Sequence, residues 1–331
     1  MGTKKTYILG IESSCDDTAA AVISDSVILS NVVASQSIHE LYGGVVPELA
    51  SREHQKLILP VVEKVLKEAG ISVNDLSAVA FTNGPGLVGS LMVGTSFAKS
   101  MSLALDIPLI SVNHMQAHIL AHFIDDPEND NPDFPFLALT ISGGHTQIVK
   151  VNSPFDMEVL GETLDDAAGE AFDKSGKVIG LKYPAGPQID KLSKDGDSNK
   201  YRFTKPKVGG LDFSFSGLKT NFLNFIHKET RTDENFIKNN LNSICASLQK
   251  VIVEILMDKL VIASKQTGIK TIVICGGVSA NSEVRSKLKL NSEKFGSKIH
   301  IPKLSYTTDN AAMIAITGQL KYEHELFSDL E

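Results

Sequence analysis

Four apolar runs of strand length occur along the chain, in two pairs. Residues 7–13 and 18–24 flank a short polar turn, and residues 136–142 and 145–151 flank a pair of glycines. Two apolar segments of this length, separated by a tight polar or glycine-containing turn, are typical of a β-hairpin. The pattern therefore predicts one hairpin near the start of the chain and another near its middle.

A second kind of unit also occurs twice. An apolar strand at residues 78–83 leads through a glycine-rich turn into a small-residue helix at 88–105, and a strand at 271–275 leads through a glycine pair into a helix at 282–290. Any α/β chain can yield such pairs, but their repetition in one order favours an internal duplication. The unequal spacing excludes a solenoid repeat.

These patterns predict an α/β protein of two similar lobes that face each other. A chain of 331 residues is too long for one ordinary core and about right for two. We assign residues 1–110 and 311–331 to lobe I and residues 111–310 to lobe II, with a cleft between the lobes. Lobe II then contains the candidate ligand-binding motifs described below.

The remaining segments are helices and loops. Residues 51–70 have a helical pattern, which Pro60 is expected to bend or break because proline lacks the N–H of the helix ladder. Residues 234–266 form a long predicted helix. Residues 125–135 are acidic and contain proline, and residues 194–210 are polar and contain glycine, so both are predicted loops.

Composition narrows the class of protein. Apolar residues make up 42% and charged residues 21%, as in ordinary globular proteins. No apolar run is long enough to cross a bilayer, and the start of the chain lacks the apolar core of a signal peptide. Three widely spaced cysteines suit a reducing cytosol. The net charge of −7 argues against binding nucleic acid over the whole surface.

Two histidines are the first candidate metal ligands. His114 and His118 are four residues apart, so on a helix they share one face and can bind one metal ion. Such a pair is also common as surface or core histidines. In zinc proteases with the H-E-x-x-H motif a glutamate follows the first histidine as general base, but this chain has Met115 there. The residues therefore count against a protease of that type.

Asp309 is a candidate third ligand from the far end of the chain. It precedes a predicted helix that runs from residue 311 to 320, so it can equally serve as the N-cap of that helix. As a ligand it would complete a set of two histidines and one carboxylate with open coordination positions. That set suits iron(II) or zinc acting as a Lewis acid.

Two glycine turns are candidate ligand-binding elements. Gly143 and Gly144 can expose backbone N–H groups to an anion at a hairpin turn, although an ordinary tight turn explains them equally well. The glycine pair after the strand at 271–275 leaves bare backbone for a flat ligand, with Asn281 free to hydrogen-bond it. The acidic residues at 165–173 cannot all point one way, so most are expected to be structural.

Six strings in order resemble a known family over nearly the whole chain. They look like the bacterial tRNA N6-adenosine threonylcarbamoyltransferases, formerly described as glycoproteases or O-sialoglycoprotein endopeptidases. The hairpins and glycine turns resemble the fold of actin, sugar kinases and heat-shock-chaperone ATPases. The matching strings are residues 10–18, 43–52, the pair His114 and His118, and residues 142–147, 212–220 and 308–313.

The resemblance implies a reaction and its partners. The family transfers a threonylcarbamoyl group from threonylcarbamoyl-adenylate to N6 of adenosine 37 in tRNAs that read codons beginning with A, and AMP leaves. A cytoplasmic enzyme with one divalent metal ion, iron(II) or zinc, is implied. So are two protein partners, a degenerate paralogue of the same fold that forms a heterodimer with it and a small P-loop ATPase.

The resemblance also assigns residues. His114, His118 and Asp309 would be metal ligands. Ala311 stands where the family commonly has glycine, which can narrow the backbone room near the metal. The residues that would line the adenylate pocket are Thr140, Ile141, Ser142, Gly143, Gly144, Asp173, Gly186, Asp190 and Asn281. Further candidates for catalytic or cleft residues are Glu12, Cys15, Asp16 and His145.

Other functions remain to be weighed. Cys15 is a conceivable nucleophile, but a small residue in a turn is the simpler interpretation. An ATP-dependent small-molecule kinase of the same fold would share the glycine turns, but it has no use for the histidine pair. A non-catalytic binding partner would be expected to lose the metal residues. Because the basic residues cluster only locally, at 200–207 and Lys219, we expect partner proteins to supply much of the affinity for tRNA.

Overall fold

The computed structural model describes residues 5–127 and 131–330, and the side chains of residues 294 and 295 lie outside the description. The first four residues of the chain and the centre of the predicted loop at 125–135 therefore also lie outside it. None of the described helices is both long and apolar enough to span a bilayer.

The strands and helices that the hydrophobic pattern predicts occur in the predicted order, together with further elements that it did not predict. The described strands are β1 (Ile8–Glu12), β2 (Asp17–Ser24), β3 (Val27–Ser35), β4 (Ala78–Gly84), β5 (Leu109–Asn113), β6 (Phe136–Ile141), β7 (Thr146–Ser153), β8 (Asp156–Glu162), β9 (Thr271–Cys275) and β10 (Lys298–His300). The α-helices are α1 (Pro47–Ala69), α2 (Val88–Leu105), α3 (His114–Leu120), α4 (Ala168–Val178), α5 (Gly186–Ser193), α6 (Ser216–Thr232), α7 (Phe236–Thr267), α8 (Ser282–Phe295) and α9 (Ala311–Glu323).

The chain divides into two compact units. Unit 1 comprises Met1–Asn131 and Pro302–Glu331, and unit 2 comprises Pro132–Ile301. These boundaries differ from the predicted ones at residues 110 and 311. The candidate metal ligands therefore lie in unit 1, whereas the candidate adenylate-binding motifs lie in unit 2. The reason is packing: α3 contacts α9, and α9 lies on the sheet of unit 1.

The sheet of unit 1 has the strand order β3-β2-β1-β4-β5. β1, β2 and β3 are antiparallel, whereas β4 and β5 run parallel to β1. Side chains alternate across the sheet, so Leu9 and Ile11 pack in the cluster beneath α1 and α2, while Ile8 packs in the cluster formed by α9. Apolar residues on both faces of β1 thus bury it completely.

Unit 2 repeats this topology. Its sheet has the order β8-β7-β6-β9-β10, again with an antiparallel hairpin, a third antiparallel strand and two strands parallel to the first. α7 buries 15 of its 32 residues and supplies much of the core of the unit. The same order of strands in both units is the result that internal duplication predicts, and both predicted hairpins are confirmed.

Helix α1 continues through Pro60 without a break, so a break at this position was the wrong expectation. Pro60 lies on the exposed face, where water can satisfy the carbonyl that loses its N–H partner. Ile58, Val61 and Val62 are buried on the other face and hold the helix against the sheet. Tertiary packing therefore outweighs the local preference of proline.

Helix α9 approaches the sheet of unit 1 very closely. A Cβ atom added at Gly10 on β1 would lie 2.6 Å from the backbone nitrogen of Ala315 and 2.7 Å from the carbonyl oxygen of Ala311. A Cβ added at Gly318 would lie 2.4 Å from the Cβ of Ala80. Glycine at these positions lets the backbone of α9 rest directly on β1 and β4.

We therefore expect Gly10→Ala to destabilise the protein by about 1–3 kcal/mol, because the backbone atoms that the new methyl group meets must move. Gly209→Ala is the matched control, since a Cβ there meets nothing within 4 Å. Urea unfolding of both variants measures the difference. Equal stability of the two variants would contradict the close approach of α9 to β1.

Candidate metal centre

The predicted histidine pair lies on α3, directly after β5. Asn113 ends the strand and caps the helix, because its Oδ1 accepts a hydrogen bond from the backbone N–H of Gln116 at 3.0 Å. His114 and His118 are both buried, and their ring centroids are 4.7 Å apart. The helical spacing thus places two imidazoles side by side on one face, as predicted.

Asp309 meets these rings from the loop before α9. Its Oδ1 lies 3.1 Å from Nε2 of His118 and 3.5 Å from Nε2 of His114. The alternative role of Asp309 as N-cap is wrong, because Asn310 caps α9 through a hydrogen bond from the backbone N–H of Met313. The Asp309 carboxylate therefore remains directed at the two histidines.

The three side chains fit a divalent metal ion. Their ligand atoms all lie within 4.8 Å of one another. Donor atoms around a tetrahedral zinc ion with bonds of about 2.1 Å lie roughly 3.4 Å apart, close to the two measured Asp–His distances. Two imidazole nitrogens and one carboxylate oxygen suit zinc or iron(II) and leave positions open for a substrate.

The charges of this cluster are strongly coupled. Burial would lower the pKa of His114, but the negative charges of Glu12 and Asp309 outweigh it and hold that pKa well above its usual value. Burial would raise the pKa of Asp309, but His114 and His118 lower it well below its usual value. The cluster therefore favours a carboxylate beside a protonated ring when no cation is bound.

The other candidates of unit 1 differ in accessibility. Glu12 is fully buried beside His114, and one of its carboxylate oxygens lies 3.0 Å from Nδ1 of that ring. Burial, the charge of Asp16 and a hydrogen bond to Asp16 raise the pKa of the Cys15 thiol far above its usual value. A thiol that resists ionisation is a poor nucleophile. The structural interpretation of Cys15 is thus favoured.

The glycine turn of unit 2 presents backbone rather than side chains. The N–H of Ser142 donates to the carbonyl of His145 at 2.8 Å, and the N–H of His145 donates to Oγ of Ser142 at 3.0 Å. Gly143 and Gly144 between them are exposed. The side chain of Thr140 is buried, as is that of Ile141, so these two residues cannot offer side-chain contacts to a ligand in this conformation.

Asp173 and Gly186 are adjacent, as a shared pocket requires. Oδ1 of Asp173 accepts hydrogen bonds from the backbone N–H groups of Ala185 at 2.7 Å and Gly186 at 3.3 Å. Burial raises the pKa of this carboxyl group despite the hydrogen bonds, which oppose the shift. Asp173 thus orders the start of α5 and remains half-buried.

Asp190 and Asn281 form a second pair at the start of α8. Asp190 accepts hydrogen bonds from the backbone N–H and the hydroxyl of Ser282. The expectation that Asn281 is free is wrong, because its Oδ1 caps α8 and its Nδ2 donates to Oε1 of Gln249 at 2.8 Å. An asparagine at the start of a helix commonly serves as its cap.

Several residues of the acidic stretch and of the basic clusters form hydrogen bonds or ion pairs with neighbours. Asp165 accepts hydrogen bonds from the backbone N–H groups at the start of α6, which confirms its structural role. Lys219 lies 2.6 Å from a carboxylate oxygen of Asp166. Lys205 lies 2.9 Å from Glu254 and 2.8 Å from Asp258. These ion pairs reduce the positive charge available for a nucleic acid.

The sequence did not reveal one contact of this cluster. Thr82, two residues before the end of β4, donates a hydrogen bond from its hydroxyl to Oε2 of Glu12 at 2.7 Å. Glu12 ends β1, which is parallel to β4, and His114 follows the next strand, β5. Polar residues at the carboxyl ends of parallel strands are the pattern that would have revealed this cluster.

The charge state of His114 leads to a testable result for metal binding. The raised pKa means that the metal-free ring of His114 is protonated on both nitrogens at neutral pH. A cation that binds to Nε2 must therefore displace the proton from that nitrogen. We expect about one proton to be released per zinc ion bound at pH 7. Titration calorimetry in buffers of different ionisation enthalpy measures this release. A binding enthalpy independent of the buffer would contradict the protonated state.

Comparison with known proteins places the chain in a family. Residues 27–316 match the sequence profile of the family described as tRNA N6-adenosine threonylcarbamoyltransferase. A protein of that name from Christiangramia forsetii is 60% identical over 99% of this chain and 97% of its own length. Another, from Riemerella anatipestifer, is 59% identical over 99% of this chain and 96% of its own.

Solved structures of lower identity share the fold. T. kodakarensis HypF superposes with a TM-score of 0.63 at 14% identity, over 97% of this chain and 48% of that one. The ROK hexokinase of Thermus thermophilus superposes with a TM-score of 0.50 at 16% identity, over 96% of this chain and 100% of that one. The predicted fold of sugar kinases is therefore confirmed.

Proposed function

The chain belongs to the tRNA N6-adenosine threonylcarbamoyltransferase family, and from this premise we propose that it transfers a threonylcarbamoyl group from threonylcarbamoyl-adenylate to N6 of adenosine 37. The acceptors would be tRNAs that read codons beginning with A, and AMP would leave. The chain is thus a tRNA-modifying acyltransferase. Since its substrate is tRNA, we place it in the cytoplasm.

The observation that carries the proposal is the His114–His118–Asp309 cluster in a chain of this family. A kinase of the same fold has no need of two buried imidazoles facing a carboxylate. We propose that these three residues bind zinc or iron(II). When bound, such a metal would polarise an oxygen of the acyl donor as a Lewis acid.

The protein itself would mainly position the reactants. AMP is a good leaving group, so the acyl group is already activated and needs no nucleophilic side chain. Bringing the donor and the N6 amine together reduces the entropic cost of their reaction. The raised pKa of the Cys15 thiol is consistent with a reaction that involves no acyl-enzyme intermediate.

We propose that the adenylate binds to unit 2. The exposed turn at Gly143 and Gly144 offers backbone N–H groups to a phosphate. Asp173 and Gly186 would form one wall of the pocket, and Asp190 and Asn281 another. Because the carboxylate of Asp173 is half-buried and its oxygen is held by two backbone N–H groups, it can fix the position of the turn that a ribose would contact.

We expect His118→Ala to reduce formation of threonylcarbamoyladenosine by at least about a hundredfold, because the metal site loses one of its three ligands. Mass spectrometry of tRNA nucleosides after reaction with threonylcarbamoyl-adenylate and the partner proteins measures the product. His227→Ala, at an exposed position on α6, is the matched control.

Two outcomes would contradict different parts of the proposal. If the wild-type protein forms no threonylcarbamoyladenosine with its partners present, the assigned reaction is wrong. If His118→Ala retains the activity of the control, the reaction stands and the metal has no part in it. Phosphoryl transfer from ATP to a sugar or to acetate would instead favour the kinase.

We propose that a degenerate paralogue of the same fold and a small P-loop ATPase assist this chain in binding tRNA. The net charge of −7 and the ion pairs of Lys205 and Lys219 reduce the positive charge that the chain itself offers to tRNA. Helix α2 exposes Val88 by 75% and Met92 by 62%, one turn apart. This exposed apolar face of α2 suits the paralogue.

We expect Met92→Glu to weaken the complex with the paralogue by at least about tenfold, because a charge in an apolar interface must be desolvated. Leu290→Glu is the matched control, since Leu290 is similarly exposed, by 57%, on α8 of unit 2. Light scattering of the mixed proteins after size-exclusion chromatography measures complex formation. Equal binding by both variants would place the paralogue on another surface.

A further inference from the structure

Glu12 is an unusual carboxylate. Among the residues that the structure describes, it is the only aspartate or glutamate whose side chain is fully buried. Burying a carboxylate is costly unless hydrogen bonds and an opposite charge offset the loss of water. The free-energy cost of burying Glu12 suggests that this carboxylate has a specific role, and the groups that contact it indicate that role.

Three groups from separate segments bind the Glu12 carboxylate. Oε1 accepts the backbone N–H of Ser14 at 2.5 Å. Oε2 accepts the hydroxyl of Thr82 at 2.7 Å and lies 3.0 Å from Nδ1 of His114. The end of β1, the end of β4 and the residue after β5 thus meet at one carboxylate. The backbone N–H of Ser14 and the hydroxyl of Thr82 thus satisfy part of the carboxylate, and Oε2 also contacts His114.

The contact determines which nitrogen of His114 carries the proton. An ionised carboxylate only accepts hydrogen bonds, so Nδ1 of His114 must be the donor. In the neutral ring Nε2 then has a free lone pair, and this is the nitrogen that lies 3.5 Å from Oδ1 of Asp309. Metal-binding histidines commonly donate their other N–H group to a carboxylate in this way.

We propose that Glu12 is a positioning residue that holds His114 in the tautomer and orientation needed to bind the metal ion; this inference rests on the metal centre proposed above. Its buried negative charge adds to that of Asp309. Together the two carboxylates balance the charge of a divalent cation bound beside two neutral imidazoles. Glu12 is fully buried and contacts His114 at Nδ1 rather than Nε2, so its role in this proposal is to hold the ring and not to bind the cation.

The variant Glu12→Gln tests this role with little change of volume. In this variant an amide nitrogen replaces one of the two carboxylate oxygens. In the first possible orientation the nitrogen faces the N–H of Ser14, and in the second it faces Thr82 and His114. In the second case it donates to Nδ1, which selects the opposite tautomer, with Nε2 protonated. We expect zinc to bind roughly 10- to 100-fold more weakly to this variant than to the wild type.

Thr82→Val is the matched control. It removes one hydrogen bond to Glu12 but leaves the contact with His114, so zinc affinity should stay within about threefold of the wild type. Chelator competition gives the affinities of the full chain. Long-range ¹H–¹⁵N NMR of the zinc-bound wild type should show His114 with a proton on Nδ1, and this signature should be reduced in Glu12→Gln.

The outcomes separate the two proposals. If the wild type binds zinc and Glu12→Gln binds it equally well with the same His114 tautomer, the positioning role is wrong and the metal centre stands. If Thr82→Val loses as much affinity as Glu12→Gln, general loosening of the strand ends explains the effect and the positioning role is again wrong. If the wild type binds zinc no better than His118→Ala, the metal centre fails, and the role of Glu12 with it.

Discussion

The close packing of α9 on the sheet of unit 1 is the constraint on which the candidate site depends. Without side chains at Gly10 and Gly318, the helix backbone rests on β1 and β4. The loop that precedes α9 is thereby held over α3, so Asp309 meets His114 and His118 although nearly 200 residues of chain separate them. A helix displaced by a single methyl group would carry the carboxylate away from the rings.

The charges around His114, His118 and Asp309 also constrain the candidate site. The ends of three neighbouring strands bring Glu12, Thr82 and His114 together, and the buried carboxylate is stable there because donors surround it. Two carboxylates and two imidazoles prefer a bound proton or a bound cation, since either reduces the repulsion between the acids. A site of this kind is prepared for a metal ion by its own electrostatics, even though it lies in an acidic chain.

Repeated topology places two different sets of candidate binding groups in one chain. Both units place an antiparallel hairpin beside two parallel strands, so each has a sheet edge where turns and helix starts gather. In unit 1 that edge carries imidazoles and carboxylates, and in unit 2 it carries the exposed glycines 143 and 144. The same architecture has thus accepted different side chains, and function follows from those side chains rather than from the fold.

Sequence alone determined many of the elements and identified the candidate metal ligands. Hydrophobic periodicity predicted both hairpins and most helices, and the i, i+4 spacing placed His114 and His118 on one face. Tertiary structure decided how these residues are used. It made Asn310 the cap of α9, engaged Asn281 in capping and buried Glu12 behind His114. The reason is physical: periodicity reflects contacts within a few residues, whereas burial and hydrogen-bond partners depend on segments that only packing brings together.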